Sequence, residues 1–180
     1  FINAFHELQH VNDISSWRGE GRMNKGISAL NNGYMTEAEK AFKGAIAIEP
    51  FFEIGYINLA DLYRLQQQPS KVNTVLIEGM NKLPKSAAIK YTYGLHLVRQ
   101  KNLANAVVVF EEAMLLSTDN AQYAYTYILA LDGMGQGKQA LSKLKVLIVN
   151  YPNKAQLREL GLYLSQKLNN KADYDWFMKL

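Results

Sequence analysis

Residues 5–10 read FHELQH, and this stretch contains two histidines, His6 and His10, with Glu7 beside the first. Two histidines four residues apart share one face of a helix, where both imidazoles can bind the same Zn²⁺. A glutamate beside them can act as the general base that activates a metal-bound water. The spacing therefore raises the hypothesis of zinc-dependent hydrolysis, which would require a third ligand and a water-excluding cleft from the rest of the chain.

The rest of the chain repeats itself with a period of about 34 residues. Pro50 and Pro84 are one period apart, and Pro152 follows at twice that interval. Large apolar residues and small residues recur at the same step, in the series Phe42, Leu76, Phe110, Leu144, the series Ala38, Val72, Ala106, Ala140, and the series Gly26, Ala60, Gly94, which Ile128 interrupts. A fixed period of this length is the signature of stacked structural repeats, each of which buries its apolar face against its neighbours.

The segments AEKAFKGAIAIEP, AVVVFEEAMLLSTD and ALSKLKVLIVNYP resemble the second half of the tetratricopeptide repeat, with its Ala-x3-Phe and closing Pro. The resemblance implies an all-α fold: a right-handed helical-hairpin solenoid of about four and a half 34-residue tetratricopeptide repeats with an N-terminal helix. Residues 1–18 are predicted to be the helix of a truncated preceding repeat, and residues 19–154 four repeats. Residues 155–180 are predicted to hold a partial fifth repeat with the C-terminal helices, where LRELGLYLSQ fits better if shifted by one residue.

The repeat changes the interpretation of the histidine motif. One step back from the first repeat puts Ala4, Leu8 and Val11 on the apolar face of a second helix. The two histidines then fall on roughly the opposite, solvent-facing side. No third histidine follows in VNDISSW, and the motif begins too early for a substrate-positioning sheet to precede it. We therefore predict no catalytic residue, no metal site and no cofactor, and keep a zinc hydrolase as the remote alternative.

Composition narrows the classes of partner. The chain has no cysteine, which excludes disulfides, thiolate zinc sites and covalent haem attachment within it. The net charge is +4, and residues 121–180 hold 8 basic and 4 acidic side chains. Lys138 and Lys145 are not interleaved with stacking aromatics, so we interpret them as a solvated face, with an acidic partner as the alternative. No apolar run could span a bilayer. We expect a protein or peptide partner, no nucleic acid and no membrane, and predict no oligomeric state.

In such repeats the first helices line a concave groove where peptides or partner helices dock. The fifth and ninth places of the four repeats should face this groove, and they are Met23, Ile27, Ile57, Asp61, Tyr91, Leu95, Tyr125 and Leu129. None is Lys, Arg or Asn, which argues against the carboxylate clamp of the chaperone-binding members. Tyr91 and Tyr125, one period apart, would be neighbouring aromatic anchors. The alternative is that these side chains only pack between repeats or against a terminal helix.

The stretches INLADLYR, YGLHLVRQKNLANAV and DNAQYAYTYILALDGMGQGKQAL are similar to repeats in the C-terminal part of certain bacterial multihaem cytochrome c proteins. The similarity covers about residues 17–178. It implies a periplasmic protein whose haem is attached through C-x-x-C-H motifs in an upstream cytochrome portion. This chain has no cysteine and departs from that family there.

The sequence thus predicts a non-enzymatic protein-interaction scaffold that binds a partner segment in the concave groove. The first alternative is a docking or assembly module of a periplasmic multihaem cytochrome c protein. The remaining histidine, His96, lies alone in a first helix and is predicted to be packed or solvated.

Overall fold

The computed structural model describes residues 19–151 and 155–180, which divide between two compact units, the first ending at Pro84 and the second beginning at Lys85. The histidine motif at residues 6–10 lies outside the described residues, as does Pro152. The described residues form ten α-helices and no strand. The predicted all-α hairpin repeat fold is confirmed.

Consecutive helices pair into antiparallel hairpins by burying their apolar stripes against each other. The first unit contains the hairpins α1 (Gly19–Asn31) with α2 (Met35–Ile48) and α3 (Glu53–Leu65) with α4 (Pro69–Lys82). The second unit contains α5 (Ala87–Arg99) with α6 (Leu103–Leu116), α7 (Ala121–Gly133) with α8 (Gly137–Leu147), and α9 (Ala155–Lys167) with α10 (Lys171–Met178). A 3-10 turn, Ile148–Asn150, extends α8. Corresponding helices therefore begin one period apart in all five hairpins.

In the first and third hairpins, close helix contact depends on a glycine that faces a phenylalanine. A Cβ on Gly26 would lie 2.4 Å from Cε1 of Phe42, and a Cβ on Gly94 would lie 2.4 Å from Cε1 of Phe110. Both phenylalanines are buried, because the missing side chain leaves room for the ring between the two helices. The small and large residues that recur along the sequence are thus complementary in volume.

The fifth hairpin uses the same pair one residue earlier. A Cβ on Gly161 would lie 2.3 Å from Cε1 of Phe177, whereas the period would place this pair at residues 162 and 178. The packing agrees with the shift of one residue that the sequence of α9 indicated.

The turn inside each hairpin contains one residue with a left-handed backbone. These residues are Gly33 (φ 80°), Gln67 (φ 56°), Lys101 (φ 59°), Gly135 (φ 77°) and Asn169 (φ 53°), each one period after the last. The next amide closes a Schellman motif at the end of each first helix, as when Tyr34 N–H donates to the carbonyl of Ala29 at 2.9 Å. Only glycine adopts this conformation without steric cost, so the non-glycine turns are locally strained.

Candidate partner-binding grooves

Four of the predicted groove residues lie in the first unit. Met23 is 3% exposed, and its Sδ accepts a hydrogen bond from Nδ2 of Asn58 at 3.2 Å. A buried side chain cannot contact a partner, so the prediction for Met23 is corrected: it is a core residue. Ile27 is 38% exposed and Ile57 is half-buried. Asp61 is partly exposed and its carboxylate is already paired with Arg64 of the same helix at 3.1 Å.

Tyr91, on α5, is half-buried and packs against two other rings. Its ring centroid lies 4.7 Å from that of Tyr123 and 5.7 Å from that of Phe110, and its hydroxyl oxygen lies 3.3 Å from Oγ1 of Thr126. Leu95 is also half-buried and packs against the core of the second unit. Tyr91 therefore holds α5, α6 and α7 together, and we do not include it among the proposed partner-binding anchors.

The last two predicted residues, Tyr125 and Leu129, line a groove of about 440 Å³ between α7 and α9. We call it the first-helix groove, since α7 and α9 are the first helices of adjacent hairpins. Tyr125 is half-buried and Leu129 is 43% exposed. The other lining residues come from α9 and are Gln156, Glu159, Leu160 and Tyr163.

Glu159 and Tyr163 were missing from the sequence-based set. They lie one period after Tyr125 and Leu129, so continuing the repeat without a shift would have found them. The Gly161–Phe177 pair lies one residue before the positions that the 34-residue period gives, and this shift obscured the periodicity of α9. The shift affects the buried side of the helix, whereas the exposed Glu159 and Tyr163 keep the period. Tyr163 is 50% exposed and gives the groove its second aromatic wall.

Glu159 is the charged side chain that lines the first-helix groove. Lys167 approaches its edge, with Nζ 5.8 Å from the ring centroid of Tyr163. That ammonium group is engaged elsewhere, because it donates to both carboxylate oxygens of the buried Asp132 at 2.8 Å, and this bond raises the pKa of Lys167. The groove therefore combines apolar and aromatic walls with one carboxylate, which suits an apolar segment that carries a cation.

A second and larger groove, about 580 Å³, lies in the first unit between α2 and α4, with α3 as its floor. We call it the second-helix groove of the first unit. Apolar and aromatic residues form much of its lining: Ile46, Ala47, Pro50, Tyr56, Leu59, Tyr63 and Val75. Its charged and polar lining residues are Lys43, Lys71, Thr74, Glu78 and Lys82.

One end of this groove is fixed by a cluster around Glu39. The hydroxyl of Tyr63 donates to Oε1 of Glu39 at 2.9 Å, and Nζ of Lys43 lies 2.7 Å from the same oxygen. The hydrogen bond from Lys43 lowers the pKa of Glu39, while burial raises the pKa of Tyr63. Lys71 places its Nζ 5.0 Å from the centroid of the Tyr63 ring, a cation–π contact.

The second unit has a corresponding second-helix groove between α6 and α8, of about 390 Å³. Tyr127 forms its floor and donates to Oε1 of Glu111 at 2.6 Å. Lys143 lies 3.0 Å from the same oxygen, with Nζ 5.5 Å from the Tyr127 ring centroid. The hydroxyl of Tyr127, followed by Lys143, lowers the pKa of Glu111.

Two further residues singled out in the sequence have structural roles. His96 is buried and stacks on Tyr93 with ring centroids 6.2 Å apart, and burial lowers its pKa. Lys145 does not belong to a solvated face, because it forms an ion pair with Asp173 and its Nζ lies 5.3 Å from the centroid of the Trp176 ring. It links α8 to α10, whereas Lys138 is exposed.

Within residues 19–151 and 155–180, no three His, Asp or Glu side chains come close enough together to hold a metal ion. Among the same residues, no helix has the length and apolar character needed to cross a membrane.

No family model and no curated protein sequence matches the chain. Solved structures do. MamA is 18% identical with a TM-score of 0.68, over 88% of this chain and 86% of MamA. The pilF protein of Pseudomonas aeruginosa is 17% identical with a TM-score of 0.69, over 92% of this chain and 74% of that protein.

YrrB, described as a TPR protein with an unusual peptide-binding site, is 12% identical with a TM-score of 0.66, over 95% of this chain and 88% of YrrB. These are likenesses of fold, so they do not test the narrower resemblance to multihaem cytochrome c proteins, which stays a prediction. Together with the regularly spaced hairpins, they show that this chain has the fold of tetratricopeptide repeat proteins.

Proposed function

We propose that the chain is a non-enzymatic protein-interaction module that binds a partner segment in the first-helix groove. The observation that carries this proposal is the convergence of Tyr125, Leu129 and Tyr163 from two adjacent first helices on one groove of about 440 Å³. Large aromatic side chains that remain partly exposed are the residues that most often dominate the binding energy of an interface. The fold likeness to YrrB, whose structure is described as having a peptide-binding site, supports the same kind of role.

The lining favours one class of partner segment. An amphipathic helix or extended segment could place a leucine or an aromatic side chain between the two tyrosines, with a lysine or arginine near Glu159. The opposite charge pattern would place a carboxylate beside that of Glu159, which is unfavourable. We therefore expect preference for a segment with apolar and basic residues over one with apolar and acidic residues.

A pair of synthetic amphipathic peptides tests this proposal, one with arginines and one with glutamates on the polar face. Fluorescence anisotropy should show tighter binding of the arginine peptide. Replacing Tyr125 and Tyr163 together by alanine should weaken that binding at least about 30-fold, since truncating a true anchor costs about 2 kcal/mol or more.

Tyr34→Ala is the matched control, because Tyr34 is 62% exposed and lies in the first unit. A circular dichroism spectrum should show that the double variant keeps its helices. Undiminished binding by a folded Tyr125→Ala, Tyr163→Ala variant would contradict the assignment of the groove.

A photo-crosslinking amino acid at position 163 then identifies the natural partner. Crosslinked protein should be recovered from this position and not from position 34. Recovery of a redox protein would favour the docking-module alternative that the narrower sequence resemblance suggests.

A further inference from the structure

The second-helix groove of the first unit has features that the proposed function does not use. It is larger than the first-helix groove, and aromatic and aliphatic side chains from α2, α3 and α4 form much of its lining. The hydroxyl of Tyr56 donates to the carbonyl of Pro50 at 2.9 Å, and that of Tyr63 donates to Glu39. Both hydroxyls are bonded to the protein, and the two buried rings close the base of the groove. The apolar surface that a side chain entering the groove can contact comes from the more exposed Ile46, Ala47 and Pro50.

Positive charge is concentrated at the rim of this groove. Residues 19–84 contain seven basic and seven acidic side chains, yet three of their five lysines, Lys43, Lys71 and Lys82, line it, against one acid, Glu78. Lys43 is paired with Glu39. Among the described residues, no carboxylate lies within 4.0 Å of Nζ of Lys71 or Lys82. Lys71 helps to lower the pKa of Glu39 from a distance, but neither its ammonium group nor that of Lys82 is held in an ion pair with a described residue. The lining therefore carries more positive than negative charge beside its apolar residues.

We propose that this groove binds an acidic segment of another polypeptide that carries an aromatic side chain. The aromatic side chain packs against Ile46, Ala47 and Pro50, the accessible apolar residues of the lining. Flanking carboxylates meet Lys71 and Lys82. Charge complementarity selects an acidic segment, because a basic one would leave the two ammonium groups unpaired and repelled. The apolar residues of the lining and Glu78 favour a polypeptide over a nucleic acid, whose phosphates need a row of cations instead of an apolar cavity.

The probe is a labelled twelve-residue peptide with a central tryptophan flanked by glutamates, and fluorescence anisotropy measures its affinity for the full chain. Two altered peptides leave the protein untouched: one has glutamines in place of the glutamates, and the other has alanine in place of the tryptophan. Each should bind at least about tenfold more weakly than the parent peptide, a loss of about 1.4 kcal/mol. Equal binding of all three peptides would overturn the proposal.

The protein variants compare two lysines inside the groove with two lysines outside it. Lys71→Gln with Lys82→Asn should weaken binding of the acidic peptide at least about tenfold, whereas Lys25→Gln with Lys40→Asn should leave it within about twofold. Both double variants remove the same charge, and Lys25 and Lys40 are exposed residues outside the groove. An equal loss in both would show a diffuse charge effect and overturn the assigned site.

Two more measurements separate shape from charge. Thr74 is an exposed lining residue, so Thr74→Trp should block the groove and weaken the acidic peptide without removing a lysine. A labelled oligothymidine of twelve nucleotides should bind more weakly than the peptide. Tighter binding of the oligonucleotide, with the same dependence on Lys71 and Lys82, would identify a nucleic-acid surface and overturn the proposal.

Discussion

The second-helix grooves of the two units have the same architecture and different surfaces. Seven of the eight residues that line the groove of the second unit lie two periods after a lining residue of the first. The corresponding pairs are Lys43 and Glu111, Ile46 and Met114, Ala47 and Leu115, Leu59 and Tyr127, Thr74 and Ser142, Val75 and Lys143, and Glu78 and Val146.

Three exchanges explain why the groove of the second unit is smaller, about 390 Å³ against about 580 Å³. Ala47, Leu59 and Val75 are replaced at the corresponding positions by the larger Leu115, Tyr127 and Lys143, respectively. The ammonium group of Lys143 covers the ring of Tyr127. The second unit therefore fills with its own side chains a space that the first unit leaves open.

The basic rim is also restricted to the first unit. Two periods after Lys71 and Lys82 the chain has Gln139 and Asn150. The repeat thus fixes where the helices of a hairpin lie. The size and charge of a groove depend on lining residues that differ from one unit to the other.

The largest expected effect tests whether the two units share the same internal packing. Phe42→Ala and Phe110→Ala should each lower the free energy of unfolding by about 3–5 kcal/mol, because each ring fills the space opposite a glycine. Urea denaturation followed by circular dichroism measures both. Lys138→Ala, at an exposed position, should change stability by about 0.5 kcal/mol or less. A small effect for only one phenylalanine would show that the Gly–Phe pairs are not equivalent.

An intermediate effect is expected at the turns. Gly135→Ala should destabilise by about 1 kcal/mol, because its φ of 77° is unfavourable for a residue with a Cβ. Lys101→Gly should stabilise by up to about 1 kcal/mol, since its φ of 59° carries the same steric cost already. Thermal unfolding of the two variants should therefore shift in opposite directions. A shift in the same direction would contradict the strain that we assign to the Lys101 turn.

The smallest expected effect is a difference in carboxyl pKa between two clusters, one formed by Tyr127, Glu111 and Lys143 and the other by Tyr63, Glu39 and Lys43. Tyr127→Phe should raise the pKa of Glu111, because the Tyr127 hydroxyl is the main cause of its low value. Tyr63→Phe should raise the pKa of Glu39 less, because Lys43 is the main cause there. Carboxyl-carbon NMR titration of both variants measures the difference, and an equal rise would contradict it.

The two variants also differ in their expected acid stability. A carboxyl group whose pKa is lowered on folding contributes stability above its unfolded pKa, and this stability is lost as the pH falls through the folded pKa. Tyr127→Phe should therefore reduce the loss of stability on acidification more than Tyr63→Phe does. Denaturation at neutral and acidic pH checks the sign.

Much of the fold could be predicted from the sequence, because the features that fix it are local and recur with every repeat. In the sequence, a small residue in the first helix of a hairpin is followed by a large one in the second, as with Gly26 and Phe42 or Gly94 and Phe110. Their complementary volumes indicate where the two helices touch. Even the one-residue shift at Gly161 could be read from the sequence of α9. Tyr125 and Leu129 were placed on the groove side of α7 by the same periodicity.

Which residues line the candidate grooves depends on contacts between helices, and these contacts cannot be derived from the 34-residue period. Met23 and Tyr91 occupy the same repeat position as Tyr125, yet Met23 is buried beside Asn58 and Tyr91 is held by Tyr123 and Phe110. Whether a side chain at that position is exposed depends on the size of residues on neighbouring helices, which differ from repeat to repeat.

The sequence by itself determined the all-α hairpin repeat, the helix spacing and the Gly–Phe pairs, because helical periodicity and complementary volumes act over short stretches of chain. Only the tertiary structure decided that Lys145 pairs with Asp173, that Lys143 covers Tyr127, and that the corresponding space beside Leu59 stays open. Each of these depends on side chains from at least two helices meeting in space, and such meetings are set by packing rather than by sequence spacing.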